Sequence, residues 1–135
     1  MNNIKYNNKI ILVDKLYLEN LTEGTQRIVV DGRNMHTEKE FISELENAFK
    51  FPRSCEGNMD RFLDWIRDLS WYNDDKIELI IINQEEFLNS DLKIRDEIIE
   101  LFLTYILTFW DEEYLTVGGE KREFIVYLTN KTIGG

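Results

Sequence analysis

The sequence contains few of the residues that disulfide-linked or metal-dependent proteins need. It has one cysteine, Cys55, one histidine, His36, and one proline, Pro52. A single cysteine excludes an internal disulfide framework and suits a reducing compartment, so we expect a cytoplasmic protein. The first residues lack the charged-then-apolar plan of a secretion signal. Apolar runs such as residues 79–82 are far shorter than the roughly 18–20 residues that a membrane span requires.

The same scarcity argues against most catalytic sites. Cys55 and His36 could form a nucleophilic pair, but the sequence shows no third group to orient them. They also fall short of the usual zinc ligand sets, and neither Gly118-Gly119 nor Gly134-Gly135 leads into a phosphate-binding helix. A glycosidase needs two carboxyl groups in a sugar-binding cleft, for which so small a domain has little room. We therefore expect no enzyme, no cofactor and no metal.

Negative charge, in contrast, is abundant. The net charge is −10, and residues 51–113, with 16 acids against 6 bases, carry the whole excess. A concentrated negative field repels nucleic acid and accelerates encounter with basic partners. Charge alone leaves open the alternative that an acidic surface only keeps the protein soluble. We expect direct binding neither to nucleic acid nor to a membrane.

The hydrophobic pattern predicts one domain in which strands alternate with helices. Strands are expected at residues 25–31, 76–83 and 123–129, and the second of these is apolar enough to be buried on both faces. Strands joined through helices usually lie parallel, so the expected fold is α/β, with a short three-stranded parallel sheet packed against three to four helices. Residues 1–24 are expected to form an N-terminal extension with a candidate extra strand, before a domain at residues 25–130 whose tail frays from Lys131.

Three helices are predicted from apolar periodicity. The first follows a capping box at Thr37 and ends near Lys50, before Pro52. The second spans residues 58–69, and the third spans residues 92–110. A short helix or turn is expected at residues 85–89, and a turn at residues 117–119. The predicted core face of the third helix comprises Ile94, Ile98, Leu101, Phe102, Tyr105, Ile106 and Phe109.

Residues 51–66 carry the most specific motif, FPRSCEGNMDRFLDWI. A proline follows the first helix, then comes a glycine–asparagine turn, and then a helix with aspartates at positions 60 and 64. This segment, together with the order of elements over about residues 25–130, resembles the barstar family. The resemblance implies an inhibitor that fills a bacterial ribonuclease's active site with this loop and the second helix.

Carried over by position, the resemblance assigns roles to individual residues. Asp60 and Asp64 would face the enzyme, while Gly57 and Asn58 would shape the loop. The physics of the site agrees, because aspartates four residues apart on a helix lie about 6 Å apart, near the spacing of successive RNA phosphates. The expected partner-binding residues are Glu56, Gly57, Asn58, Asp60, Asp64, Asp68 and Trp71.

The segment departs from the family pattern in ways that bear on the target. Ser54 and Cys55 stand where two aromatic residues are common, Leu63 replaces a tryptophan, and Arg61 adds a positive charge. Gly57 is also adjacent to the asparagine, rather than two residues before it. Such changes can redirect specificity, which leaves open a divergent ribonuclease or a different toxin as the target.

The sequence therefore predicts an immunity-type inhibitor of a ribonuclease toxin, monomeric when free. One alternative is a module of the same fold that binds a basic partner other than a nuclease. The aspartate row could also be an ordinary solvated helix face, and Trp71 could be buried rather than an exposed anchor.

Overall fold

The structure, a computed structural model, describes residues 9–113 and 121–134. Four strands form one parallel sheet in the order β1-β4-β3-β2. The predicted turn at residues 117–119 lies outside the described residues. No helix in the described ranges is long and apolar enough to cross a membrane. The strands are β1 (Lys9–Leu18), β2 (Thr25–Asp31), β3 (Lys76–Ile82) and β4 (Glu123–Gly134).

The sheet has four strands, so the prediction of three was wrong. The additional strand is β1, which pairs with β4 from Lys9 opposite Ile125 to Leu18 opposite Gly134. The prediction that the chain frays from Lys131 was wrong for the same reason, because β1 gives the end of β4 a partner. The division of the chain after residue 24 stays a prediction.

The helices all pack on one face of the sheet. They are α1 (Glu38–Ala48), α2 (Met59–Ile66) and α3 (Leu92–Leu101), with 3-10 turns at Gly32–Asn34 and Gln84–Glu86. Their apolar residues share one buried cluster with alternate residues of the strands, such as Leu79 and Ile81 of β3. As predicted, β3 is buried on both faces, because the intervening Ile80 is also fully buried.

The opposite face of the sheet carries a nearly buried ion pair. Arg27 of β2 donates from Nε to Glu78 Oε1 of β3 at 3.0 Å, and Lys76 Nζ lies 3.5 Å from Glu78 Oε2. Arg27 Nη2 also donates to the carbonyl of Glu19, just after β1. The same arginine therefore joins the chain after β1 to β2 and β3.

The helix boundaries follow local signals where side chains cap them. Thr37 Oγ1 accepts from Glu40 N at 3.1 Å, so the predicted cap begins α1. Glu40 Oε1 accepts from His36 N at 2.9 Å, one residue before the Thr37 amide that a capping box would use. Asp91 caps α3 in the same way, through Ile94 N. These contacts satisfy amide groups that the first helical turn leaves without partners.

The third helix changes its geometry halfway along. After Leu101 the chain continues as π-helical turns over Phe102–Leu107 and Phe109–Glu113. A π-turn closes over five residues instead of four, so a pattern extrapolated at 3.6 residues per turn points to the wrong side. Tyr105, predicted to lie in the core, is 54% exposed, while Trp110 is buried.

The carboxyl group of Asp31 makes stability depend on pH. Hydrogen bonds from the Arg33 side chain and backbone, with a further one from Asn83, lower the pKa of Asp31 from 3.8 to about 2 despite its partial burial. A lowered folded-state pKa stabilises the protein above the unfolded-state value, and this contribution is lost as pH falls toward 2. We therefore expect Asp31→Asn to be less stable than wild type at pH 6, with the gap closing by about pH 2 in urea titrations. A gap that stays constant across this range would contradict the assignment.

Candidate partner-binding surface

The loop between α1 and α2 follows a defined path into the second helix. Glu56 and Gly57 both have left-handed backbone conformations, with φ of 50° and 71°. The positive φ of Gly57 favours glycine, and a β-carbon there would also lie 3.2 Å from Lys39 Cγ, closer than an ordinary van der Waals contact. Asn58 Oδ1 then accepts from Arg61 N at 3.0 Å and caps α2. The structure thus places Gly57 and Asn58 at the entrance to the helix.

The three predicted aspartates lie in different environments. Asp60 is exposed in the first turn of α2, and no described cation forms an ion pair with it. The side chain of Asp64 is 79% exposed, and its Oδ1 lies 3.6 Å from Arg67 Nη2. Asp68 lies beyond the helix, where its Oδ1 accepts from Ser70 N. Only Asp60 and Asp64 therefore share the rigid exposed face of α2.

The prediction that α2 continues to Leu69 was wrong. The helix ends at Ile66, and Leu69 has a left-handed conformation with φ of 50°. Leu69 is fully buried all the same, so the chain leaves the helix while it keeps that side chain in the core. Burial of Leu69 in the core, and not the apolar periodicity of the sequence, therefore decides where the helix ends.

The charge of this segment is nearly balanced. Residues 53–68 carry four acids and three arginines, whereas residues 74–113 carry twelve acids and three bases. Arg61 Nη1 lies 3.4 Å from Glu56 Oε1, and both side chains are largely exposed. The long-range negative field therefore arises mainly from the second of these regions, while cations accompany the carboxylates of α2.

Trp71 belongs to an aromatic cluster beside α2. Its ring centroid lies 5.7 Å from that of Trp65 and 5.9 Å from that of Phe51. Its indole N–H donates to the carbonyl of Phe49 at 2.8 Å, and the hydroxyl of Tyr72 donates to the same oxygen. Trp71 is therefore half-buried, and its N–H is already used within the protein, so only part of its ring could serve as an anchor.

Two residues that the sequence reasoning missed hold the other end of α2. Trp110 Nε1 donates to the carbonyl of Ile66 at 3.2 Å. Arg122 donates to the carbonyls of Leu69 and Tyr72 at 2.9 and 2.6 Å, and its guanidinium lies 5.3 Å from the Trp110 ring centroid. A cation is favourable beside the carbonyl end of a helix. These contacts join residues 44 to 53 positions apart, so no local sequence pattern indicates them.

Comparison with known protein families gives one decisive result. The family model described as Barstar (barnase inhibitor) matches residues 25–129. The chain belongs to the barstar family. No curated protein and no solved structure matches the chain.

The barstar-family match begins at β2, so β1 precedes the matched segment. Within the matched segment, the departures at residues 54 and 55 now have structural consequences. Cys55 is fully buried, and burial together with the nearby Glu46 raises its thiol pKa to about 11. Cys55 therefore cannot replace an exposed aromatic residue on the surface, nor does its environment activate it as a nucleophile.

Within residues 9–113 and 121–134, no group of three potential metal ligands comes together. A small cavity between β1, α1 and α3 has purely apolar lining residues, so it offers no carboxylate pair for a glycosidase. Its walls are formed by Ile10, Phe41, Ile81, Phe87, Ile98, Ile99, Phe102, Val126 and Leu128.

Proposed function

We propose that this protein inhibits a bacterial ribonuclease toxin by covering the enzyme's active site with residues 53–58 and α2. The observation that carries the proposal is the exposed pair Asp60 and Asp64 on one face of a short helix, within a barstar-family fold. A ribonuclease site is lined with basic groups that bind phosphates. Carboxylates about 6 Å apart on a helix can occupy the same positions.

The rigidity of α2 supports this role. Phe62 and Ile66 anchor the helix in the core with fully buried side chains, Asn58 caps its start, and Trp110 holds its last carbonyl. A surface that is already ordered loses little conformational entropy when a partner binds. The backbone positions that carry the carboxylates of α2 are therefore fixed before the encounter.

The proposal includes the biological setting. The protein would act as an immunity protein in the cytoplasm of the cell that makes the toxin, as a monomer and without catalysis of its own. Its direct test is inhibition of RNA cleavage by a small basic nuclease encoded beside it. Inhibition should increase with the concentration of the protein and become complete when the protein is in excess. A nuclease that remains fully active with excess protein would contradict the proposal.

The association rate constant should fall steeply with salt. The net charge of −10 attracts a basic enzyme at long range. Dissolved salt screens this attraction and so slows the encounter. We expect at least about a tenfold decrease in stopped-flow association between about 0.05 and 0.5 M NaCl, with a much smaller change in the dissociation rate. An association rate indifferent to salt would contradict electrostatic steering.

A second candidate function is binding of a basic protein that is not a nuclease. The observation in its favour is Arg61, whose exposed side chain pairs with Glu56 beside the aspartates. A positive charge there is unfavourable against a uniformly basic phosphate site, so it favours a partner with a mixed surface. The RNA-cleavage assay distinguishes the two functions, because a partner that is not a nuclease cleaves no RNA for the protein to inhibit.

A further inference from the structure

Glu46, on α1, contacts the partner-binding loop, the segment between α1 and α2, at its beginning and in its middle. Its Oε1 accepts from Cys55 N at 2.8 Å and lies 3.4 Å from Ser54 Oγ. Its backbone carbonyl accepts from Phe51 N at 3.0 Å. One residue of the first helix therefore ties down the beginning and the middle of the loop.

We propose that Glu46 is a positioning residue that holds the loop at residues 53–58 in the conformation that meets the partner. The part of this inference that concerns the partner rests on the proposed function. The part that concerns the loop stands on the contacts of Glu46 alone.

The contacts continue from Glu46 to the acidic helix. Cys55 donates its N–H to Glu46, and its carbonyl accepts from Asn58 N at 2.9 Å. Asn58 in turn caps α2, whose first turn carries Asp60. A shift of Cys55 away from Glu46 therefore moves the cap and the first carboxylate with it.

The loop needs this support because its backbone is strained. Glu56 has a left-handed conformation that side-chain-bearing residues rarely adopt, and such residues persist only when their surroundings fix them. The Cys55 amide lies beside a fully buried side chain, where a donor without an acceptor is unfavourable. Removing the Glu46 carboxylate takes away both the acceptor and the constraint.

The single cysteine of the chain reports directly on the loop. The Cys55 side chain is fully buried and its thiol pKa is raised, so the seated loop protects it from a disulfide reagent. Labelling of the thiol then requires the loop to open. Its rate measures that opening in the free protein, with no partner present.

The experiment compares three variants in the full chain: Glu46→Ala, Glu46→Gln and Glu44→Gln. Glu46→Ala should label about 10-fold to 100-fold faster than wild type, the range expected for loss of a charge-assisted hydrogen bond. Glu46→Gln keeps a neutral acceptor oxygen and should label much more slowly than Glu46→Ala, within a few-fold of wild type. Glu46→Gln also removes the negative charge that contributes to the raised thiol pKa. A labelling rate that rises much more in Glu46→Ala than in Glu46→Gln therefore reflects lost support of the loop and not lost charge. Glu44→Gln removes the same charge elsewhere on α1 and should label like wild type.

Three results would overturn the positioning role. The first is a Glu46→Ala rate equal to that of wild type, and the second is an equal rise in Glu46→Gln. The third is a rise fully explained by lower global stability, measured as a shift of the urea midpoint. A cognate ribonuclease should also bind Glu46→Ala at least about tenfold more weakly than Glu46→Gln. If the labelling results hold but wild type binds no ribonuclease, the proposed function fails while the positioning of the loop stands.

Discussion

Asp64→Ala is expected to weaken binding of the cognate ribonuclease by about 2–5 kcal/mol, or about 30-fold to 4,000-fold. Part of that scale comes from measurements on barstar itself with barnase, and we adopt it here for a family member. The physical reason is that in the proposed complex the carboxylate, 79% exposed in the free protein, would be buried against cations of the enzyme. Removing it leaves those cations buried without a partner. Isothermal titration calorimetry of the two purified proteins measures the change.

The matched control is Asp96→Ala, which removes the same charge from the exposed surface of α3. Both variants lose one negative charge, so electrostatic steering of the encounter should weaken equally in the two. Asp96 is not expected to contact the enzyme, so Asp96→Ala should lower affinity by less than about 0.5 kcal/mol. The urea midpoint of Asp64→Ala should match that of wild type, since its ion pair with Arg67 is exposed. Equal binding by Asp64→Ala and wild type would show that α2 does not face the enzyme.

Phe62→Ala is expected to lower the free energy of unfolding by about 3–5 kcal/mol. Phe62 is fully buried, and its ring centroid lies 5.5 Å from that of Phe41 and 6.0 Å from that of Phe51. It joins α2 to α1 and to the start of the partner-binding loop. Its removal leaves a cavity under the helix that carries the aspartates, and urea titration followed by tryptophan fluorescence gives the change in stability.

The control for this prediction is Leu103→Ala on the π-helical part of the third helix. Leu103 is 44% exposed, so its truncation removes far less buried surface. We expect a loss below about 1 kcal/mol for this variant. If Phe62→Ala were no more destabilising than Leu103→Ala, the packing that positions α2 would be wrong.

Elements defined by contacts between close sequence neighbours could be predicted from the sequence. Thr37 with Glu40, and Asn58 with Arg61, form caps within three residues, so the starts of α1 and α2 follow from local pattern. The strand at Thr25–Asp31 and the buried strand at Lys76–Ile82 were confirmed, because β-branched and apolar residues dominate both.

Elements defined by distant partners could be predicted only in part or not at all. A strand within residues 1–24 was only a candidate in the sequence, and pairing with β4, more than one hundred residues later in the chain, makes residues 9–18 that strand. The end of α2 depends on burial of Leu69, and the exposure of Tyr105 depends on the π-helical turns. Periodicity contains no signal for either change.

The candidate site shows the same division. The loop and the aspartates of α2 lie in one continuous segment, so the motif at residues 51–66 brings them together in the sequence. The residues that hold this segment, Glu46, Trp110 and Arg122, come from other elements and reach it through backbone carbonyls and amides. A backbone carbonyl or amide is available whatever the side chain, so the sequence of the segment does not indicate these contacts.

The central claim is that Asp60 and Asp64 take the place of RNA phosphates in a ribonuclease site. Steady-state kinetics of RNA cleavage tests it most directly, with wild type and the Asp60→Asn, Asp64→Asn double variant as inhibitors. We predict that wild type raises the apparent KM for RNA without lowering kcat, and that the double variant, equal in shape but uncharged at both positions, loses this effect. Inhibition by the double variant as strong as that by wild type would contradict the claim.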